Sequence, residues 1–320
     1  MEINKLMDKF LSKNNLKGRK IFIRELGPRE GFQIQKKFID TSKKVELINS
    51  LIQTGIKYIE VTSFVNPKLV PNLADAEEVL KSINKKPDVT YACLVLNVKG
   101  VMKAIENEVK YLNTTIFASE ALNQRNNNRT IKESMNEALK MIKLCVDNGI
   151  TLEGGVSAAF GCPIQKEVDL EKVLEIVDFW SSNGIKSVML ADTTGEALPH
   201  QVYAYVNILK EKYPEVDFIG HFHDTRGIGM VNLLVAISEG IDYVDCSIGG
   251  LGGCPFAPGA AGNIPTEDTV YLLNSLGIET NIDLEKLINS AILAEEIVGY
   301  QLPGKIKNYY KNNKKMVNIL

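Results

Sequence analysis

Short apolar runs alternate along this chain with longer segments in which apolar residues recur every three to four positions. Runs of four to eight residues are typical of buried strands, and the longer pattern is typical of amphipathic helices. Strands are predicted at 21–26, 57–62, 89–96, 111–117, 151–157, 187–191, 217–222 and 243–248. Helices are predicted from about Thr41 to Gly55 and near 73–82, 98–108, 131–148, 170–183, 201–212, 229–239 and 266–275.

Glycine marks the end of several predicted helices, in the pairs Asn148-Gly149, Asn183-Gly184 and Glu239-Gly240. Glycine is the usual left-handed C-cap of a helix, and each of these pairs is followed at once by a predicted strand. Alternating strands and helices predict a parallel sheet, and eight such units predict a closed α/β barrel of the TIM (β/α)8 type. We expect the barrel, with a short N-terminal extension, to occupy residues 1–280. Extra C-terminal helices in 281–320 are expected to form an appendage packed on it.

The composition of the 320 residues is that of a globular protein, with 45% hydrophobic and 24% charged residues. The net charge of −2 argues against nucleic acid or a membrane surface as the main partner. No apolar run approaches the ~18 residues of a membrane span, and the N-terminus shows no signal-peptide pattern. The five cysteines form no Cys-x-x-Cys pair, which fits a reducing compartment. We therefore expect a cytoplasmic protein.

Two of the three histidines, His221 and His223, lie at the end of the seventh predicted strand. Side chains at positions i and i+2 of a strand point to the same face, so both imidazoles are predicted to aim at one point. Such a pair can form half of a divalent-metal site, or it can be two core histidines without a ligand. The pattern alone leaves both interpretations open.

Other chemically capable side chains also follow predicted strands, at the carboxyl ends where TIM barrels hold their active sites. They are Arg29 and Glu30 after the first strand, Glu60 at the end of the second, Asp192 after the sixth, and Cys254 and Asn263 after the eighth. This convergence on one rim favours the metal interpretation. Two imidazoles with a carboxylate and an amide oxygen or water suit Mg²⁺, Mn²⁺ or Co²⁺. Zn²⁺ is also possible, although not as a closed structural site, which would use thiolates.

Each of these side chains also has a purely structural interpretation. Glu60 and Asp192 could form salt bridges or cap loops, and a buried Glu60 requires a cationic partner, for which Arg29 is the candidate. The four glycines at 249–253 could cradle a phosphate. They could instead be hinges of a lid that carries Cys254 onto a bound substrate, which is the interpretation we favour. Cys254 could also be a small buried hydrophobe.

Four motifs resemble those of the 3-hydroxy-3-methylglutaryl-CoA (HMG-CoA) lyases, metal-dependent TIM-barrel enzymes related to the isopropylmalate synthases. They are Leu-Gly-Pro-Arg-Glu-Gly-Phe-Gln at 26–33, Ile-Glu-Val-Thr-Ser-Phe-Val-Asn-Pro-Lys at 59–68, Gly-His-Phe-His-Asp-Thr at 220–225, and the stretch at 252–263 that begins Gly-Gly-Cys-Pro. The likeness runs from about Ile21 to Gly277. The second and fourth motifs favour the lyase branch over the synthases.

The resemblance implies a retro-Claisen carbon–carbon lyase that cleaves HMG-CoA, or a close 3-hydroxy-3-carboxymethyl acyl-CoA, to acetyl-CoA and acetoacetate or the matching keto acid. It implies a divalent cation, most readily Mg²⁺ or Mn²⁺, on Glu30, His221, His223 and Asn263. In that scheme Arg29 binds the thioester oxygen and Glu60 orients Arg29. The base would be Glu30, Asp192 or His221, and Cys254 or a relay would supply the final proton. The further expectations are cofactor binding by Gln33 and Lys36, an acyl-CoA substrate and a homodimer.

Glu30 is a departure from the resembling family, which has aspartate at this position. The extra methylene moves the carboxylate by roughly an ångström, against a tolerance of about 0.5 Å in catalytic sites. Two alternatives therefore stand beside HMG-CoA cleavage. One is a lyase or synthase that runs the same chemistry on a different acyl-CoA or keto acid, and the other is a metal-binding paralogue without turnover.

Overall fold

The computed structural model describes residues 2–253 and 262–313. Every barrel strand is parallel to its neighbours. The strands are β1 (Phe22–Glu25), β2 (Tyr58–Ser63), β3 (Thr90–Leu94), β4 (Tyr111–Asn113), β5 (Ile116–Phe117), β6 (Thr151–Ser157), β7 (Ser187–Asp192), β8 (Asp217–Phe222) and β9 (Tyr243–Cys246).

The predicted TIM barrel is confirmed, and its ring is closed. The strand order is β4-β3-β2-β1-β9-β8-β7-β6-β5, and β4 also pairs with β6. Both β4 and β5 pair with β6, through Tyr111 opposite Thr151 and Ile116 opposite Val156. They are therefore the two halves of the single strand predicted at 111–117, and together they fill the fourth of eight barrel positions.

Helices surround this barrel in the predicted alternation. They are α1 (Glu2–Lys13), α2 (Thr41–Ile52), α3 (Ala76–Ser82), α4 (Val98–Glu106), α5 (Glu120–Asn127), α6 (Ile131–Asp147), α7 (Leu170–Ser182), α8 (Pro199–Lys212), α9 (Gly229–Ser238), α10 (Thr266–Ser275), α11 (Leu284–Val298) and α12 (Lys305–Asn312). Helix α5 was not predicted, because its polar sequence carries no apolar period. Its N-terminus is fixed instead by the Ser119 hydroxyl, which accepts the Leu122 N–H at 3.2 Å.

Glycines shape the contacts between helices and strands at a few defined places. The predicted C-caps are confirmed, since Gly149, Gly184 and Gly240 have φ values of 62°, 82° and 95°. On β6, a Cβ at Gly154 would lie 2.5 Å from the indole of Trp180. The absence of a side chain there lets α7 place this fully buried tryptophan directly on the barrel.

The C-terminal helices pack on the barrel through buried charges. Both carboxylate oxygens of Asp268 in α10 accept the N–H groups of Lys305 and Ile306 at 2.9 and 2.8 Å, which caps α12. Lys307 is buried against Glu295 of α11. The domain boundary at residue 280 stays a prediction. Among the described helices, none has the length and apolar character that crossing a membrane requires.

Candidate metal centre and active site

The segment after β1 brings two of the predicted residues to the carboxyl rim of the barrel. The chain leaves β1 in a single π-helical turn, Gly27–Gly31, that contains both Arg29 and Glu30. Glu25 holds this turn from below, because its Oε1 accepts the N–H groups of Gly27 at 2.7 Å and of Ile248 at 2.8 Å. Arg29 and Glu30 therefore lie at the carboxyl rim, in a turn that the buried Glu25 holds in place.

Four predicted metal ligands converge at this rim. One donor atom from each of Glu30, His221 and His223 lies within 4.8 Å of the other two. Asn263 joins them, because its backbone forms an antiparallel bridge with His223 and its Nδ2 donates to a Glu30 carboxylate oxygen. The structure therefore brings together a carboxylate, two imidazoles and an amide.

Two atoms of this cluster show that its residues fit a cation. Nδ1 of His223 and Oδ1 of Asn263 are both buried, and neither has a hydrogen-bond partner within the part of the chain that the structure describes. Buried polar atoms in native proteins are nearly always satisfied, by protein, water or an ion. The amide of Asn263 donates to Glu30 through Nδ2, so its oxygen remains available as a ligand. Oxygen and imidazole donors of this kind suit Mg²⁺ or Mn²⁺.

The electrostatics of the cluster favour an anionic Glu30 and a neutral His223. Burial works to raise the pKa of Glu30, but Arg29 and the two histidines outweigh it and lower this pKa to about 2. Burial, with the nearby His221, lowers the pKa of His223 to about 4. A carboxylate and an unprotonated imidazole are the forms in which these groups bind a metal.

Arg29 lies beside the metal cluster in a buried pair with Glu60. Its Nε donates to Glu60 Oε2 at 2.7 Å, as predicted, and the other carboxylate oxygen of Glu60 accepts Asn113 Nδ2 at 3.0 Å. Burial works to lower the pKa of Arg29, but the charges of Glu60 and Glu30 raise it. The guanidinium is therefore held charged, with one edge fixed and 3.6 Å between its Nη1 and Glu30 Oε1.

Asp192 ends β7 with one oxygen bound and one open. Its Oδ1 accepts the N–H groups of Glu196 at 2.7 Å and Ala197 at 3.1 Å. Its Oδ2 is buried and has no hydrogen-bond partner among the described residues. Burial raises its pKa to about 6. The loop-cap alternative therefore holds for Oδ1, while Oδ2 is available to accept a hydrogen bond or a proton from a bound molecule.

The amino-acid sequence matches the HMGL-like family model over residues 20–293. The chain belongs to the HMGL-like family. Hydroxymethylglutaryl-CoA lyase YngG of Bacillus subtilis is 40% identical over 295 residues, covering 92% of this chain and 99% of that protein. The 3-hydroxy-3-isohexenylglutaryl-CoA/hydroxymethylglutaryl-CoA lyase of Pseudomonas aeruginosa is 38% identical over 272 residues, covering 85% and 91%.

A solved structure extends this likeness to the three-dimensional level. The HMG-CoA lyase of A. baumannii in complex with coenzyme A and 3-methylmalate superposes with a TM-score of 0.88 at 36% identity, covering 94% of this chain and 97% of that one. These HMGL-like relatives are all named as lyases of hydroxymethylglutaryl-CoA, and one is also named for 3-hydroxy-3-isohexenylglutaryl-CoA.

Three further residues were predicted for the site, namely Gln33, Lys36 and Cys254. Gln33 is half-buried and Lys36 is exposed just after the π turn, and neither hydrogen-bonds to Arg29, Glu30 or Glu60. Cys254 lies outside the described residues. Of its glycine-rich loop, Gly252 has a φ of 112°, and a Cβ there would lie 2.9 Å from Asn263 Nδ2. This glycine lets the loop approach the metal cluster closely, and both the lid and the phosphate-cradle interpretations stay predictions.

Several buried polar residues that contact the site or lie behind it in the barrel were not predicted from the sequence. They are Arg24, Asn113, Glu153 and Asp245, all of them buried. A signal for three of them was present, because a charged residue inside an apolar strand has to find a partner in the core. Arg24, Glu153 and Asp245 each interrupt such a run. Which residues pair with one another depends on the register between strands, and this register cannot be read from the sequence.

Proposed function

We propose that this protein is a divalent-metal-dependent carbon–carbon lyase that cleaves HMG-CoA to acetyl-CoA and acetoacetate. The observation that carries the proposal is the charged Arg29 held by Glu60 beside the cluster of Glu30, His221, His223 and Asn263. A retro-Claisen cleavage needs both a Lewis acid at a hydroxyl and a cationic group at a thioester oxygen. The relatives named as HMG-CoA lyases support the same reaction.

The four cluster residues would hold the cation through a carboxylate oxygen, two imidazole nitrogens and an amide oxygen. When bound, the cation supplies Lewis acidity that lowers the pKa of the substrate's tertiary hydroxyl. Glu30 and Asn263 restrain one another through their hydrogen bond. The two histidines are restrained by β8 and by the bridge to Asn263.

Asp192 is the residue that we propose as the base. Its open Oδ2 would take the proton of the tertiary hydroxyl, and its pKa of about 6 lies near the operating pH that general bases favour. As the hydroxyl oxygen becomes a ketone, the adjacent carbon–carbon bond breaks and its electron pair moves into the thioester as an enolate. Arg29 would stabilise the enolate oxygen. A proton from an acid, for which Cys254 is the candidate, completes acetyl-CoA.

The experiment is an assay of the purified protein with HMG-CoA and Mg²⁺ or Mn²⁺, with release of acetyl-CoA and acetoacetate measured together. We expect equal amounts of the two products, and loss of both on chelation. The variant Asp75→Asn, which alters the ion pair of Asp75 with Lys44 and none of the contacts described for the site, should retain activity. Metal and thioester binding without any product would refute the lyase and establish a non-catalytic paralogue.

Glu30 is the observation that supports a different acyl-CoA as the natural substrate. Its side chain is one methylene longer than that of aspartate, and its carboxylate is hydrogen-bonded to Asn263. The space left for substrate beside the cation is therefore different. One relative is named for both isohexenylglutaryl and methylglutaryl thioesters. A panel of 3-hydroxy-3-carboxymethyl acyl-CoA thioesters would be compared in the protein and in Glu30→Asp. A shift in acyl preference supports a different natural acyl group, and an unchanged profile excludes this role for Glu30.

We also propose a homodimer in the cytoplasm and cofactor binding by Gln33 and Lys36. The four described cysteines are buried and unpaired, which suits a reducing compartment. Light scattering after gel filtration tests the dimer. Coenzyme A titration of Lys36→Ala tests the last assignment, and an unchanged affinity would reject it.

A further inference from the structure

The interior of the barrel holds a chain of charged residues that the proposed mechanism does not use. Arg24 of β1, Asp245 of β9 and His221 of β8 are register partners on three adjacent strands. All three side chains are buried, with Asp245 at 0% exposure. Register therefore places a positive, a negative and a metal-binding group in one layer of the barrel.

The contacts in this layer run in series. His221 Nδ1 lies 3.2 Å from Asp245 Oδ2. Asp245 Oδ1 lies 2.9 Å from Arg24 Nε. Glu153 of β6 then binds Arg24 through two hydrogen bonds of 2.6 and 2.7 Å, and Tyr58 accepts a third at 3.0 Å. Each oxygen of Asp245 thus faces a different neighbour.

These contacts determine which nitrogen of His221 can bind a cation. A carboxylate accepts hydrogen bonds and donates none, so the imidazole must carry its proton on Nδ1, facing Asp245. The lone pair then lies on Nε2. A histidine that binds a metal through one nitrogen commonly donates the other N–H to a carboxylate, which fixes the ring and the tautomer.

We propose that Asp245, itself held by the Arg24–Glu153 pair, is the positioning residue that fixes the metal-binding tautomer of His221. The inference rests on the cation site of the proposed function, and it does not depend on which acyl-CoA is cleaved. A carboxylate that accepts the N–H of a metal-binding imidazole also raises the basicity of that ligand.

The variant Asp245→Asn tests the proposal, because Arg24 determines which way the introduced amide is oriented. The guanidinium beside Oδ1 favours the amide oxygen on that side, which turns the amide NH₂ toward His221. Nδ1 must then accept a hydrogen bond, and the proton moves to Nε2, where it blocks metal binding. A substitution that changes one oxygen to nitrogen should therefore invert the tautomer without changing the size of the side chain.

Two measurements test this on the full chain. Calorimetric titration with Mn²⁺ should show an affinity for Asp245→Asn that is about 10- to 100-fold weaker than that of the unaltered protein. Nitrogen-15 spectra of histidine-labelled, metal-free protein, recorded at alkaline pH where the His221 ring is neutral, should show its proton on Nδ1 in the unaltered chain and on Nε2 in Asp245→Asn. The control Asp75→Asn also alters a buried carboxylate paired with a cation, and it should change neither result.

The possible outcomes separate the two proposals. Absence of Mn²⁺ binding by the unaltered protein would refute the metal site and the proposed function with it. Normal Mn²⁺ binding by the unaltered protein, with an equal affinity or an unchanged tautomer in Asp245→Asn, would refute the positioning role alone. If Asp245→Asn does not fold, Glu153→Gln replaces it. That variant weakens the hold on Arg24 and should reduce Mn²⁺ affinity in the same direction by a smaller factor, and an unchanged affinity would again refute the role.

Discussion

Arg29 shows how the function of a single side chain depends on what holds it. A guanidinium in the protein interior requires a partner, and Glu60 provides one along its Nε edge. Asn113 in turn restrains the second oxygen of Glu60. The other edge of the guanidinium is thereby oriented toward the metal cluster before substrate binds. A donor that needs no reorientation during the reaction is what stabilises a developing oxyanion.

Replacement of Arg29 by lysine should retain the charge and lose the fixed edge. We expect Arg29→Lys to lower kcat/KM for HMG-CoA by about 100-fold or more, since a single oxyanion donor is worth on the order of 10²–10³ and lysine cannot reproduce the planar fork. Mn²⁺ affinity should stay within a few-fold. Wild-type turnover in this variant would contradict the role given to Arg29.

Asp192 predicts the pH dependence of the reaction. Burial raises its pKa to about 6, against the opposing effect of the Ala197 and Glu196 N–H groups. A base must be ionised, so kcat/KM should be level above this pKa and fall as the pH drops below about 6. The profile of the unaltered protein would be compared with that of Asp192→Asn, which should be slower by about 10²–10⁴ and lack this inflection. A rate independent of pH between 5 and 8 would contradict the assignment.

At the scale of elements, the C-terminal segment supports the turn after β9. The Gly304 N–H donates to the Gly249 carbonyl at 3.0 Å, and the Gly249 N–H donates to Glu267 of α10 at 2.9 Å. The appendage therefore packs behind the glycine-rich loop whose far side borders Asn263 and Glu30. The glycines let Leu302 and Pro303 pack closely on this turn, because a Cβ at Gly249 would lie 2.6 Å from Leu302 Cδ1 and one at Gly250 would lie 2.7 Å from Pro303 Cγ.

Gly304 should tolerate no side chain at this junction. A Cβ there would lie 2.0 Å from the buried Glu267 Oε1, and overpacking of this kind costs about 1–3 kcal/mol. We expect Gly304→Ala to lower the free energy of unfolding in urea by that amount. Asn312→Ala, at the exposed end of α12, is the control and should change it little. Equal stability of the two variants would show that the junction adapts.

At the scale of the molecule, a ligand that binds only the folded barrel stabilises it as a whole. Glu30 precedes His221 by 191 positions, and Asn263 follows His221 by 42. The unfolded chain cannot present them together. Metal binding and folding are therefore linked, and the gain grows with the concentration of the ion relative to its Kd.

Addition of Mn²⁺ should accordingly raise the free energy of unfolding. At 100 times the Kd the expected gain is about 2.7 kcal/mol, measured by thermal or urea unfolding with and without the ion. His223→Ala should lose this gain. His200→Ala removes the one other histidine, which is exposed on α8, and should keep it. An equal gain in both variants would place the cation elsewhere.

The sequence alone determined the order of strands and helices, and with it the barrel. Apolar period and glycine C-caps are local properties, so the strand at 217–222 and the helix cap at Gly184 could be read directly. The β/α alternation also placed Arg29, Glu30, Asp192 and the two histidines on one rim, because parallel strands share a carboxyl end. The polar helix α5 was missed for want of an apolar period.

Only the tertiary structure decided which buried charges meet. Arg24, Asp245 and His221 are separated by up to 221 positions along the chain, and they become neighbours through the register of β1, β9 and β8. A shift of one residue in that register would turn each side chain to the opposite face. Local patterns carry no record of register between strands. Closure of the barrel, which pairs the first strand β1 with the last strand β9, is what brings Arg24 to Asp245.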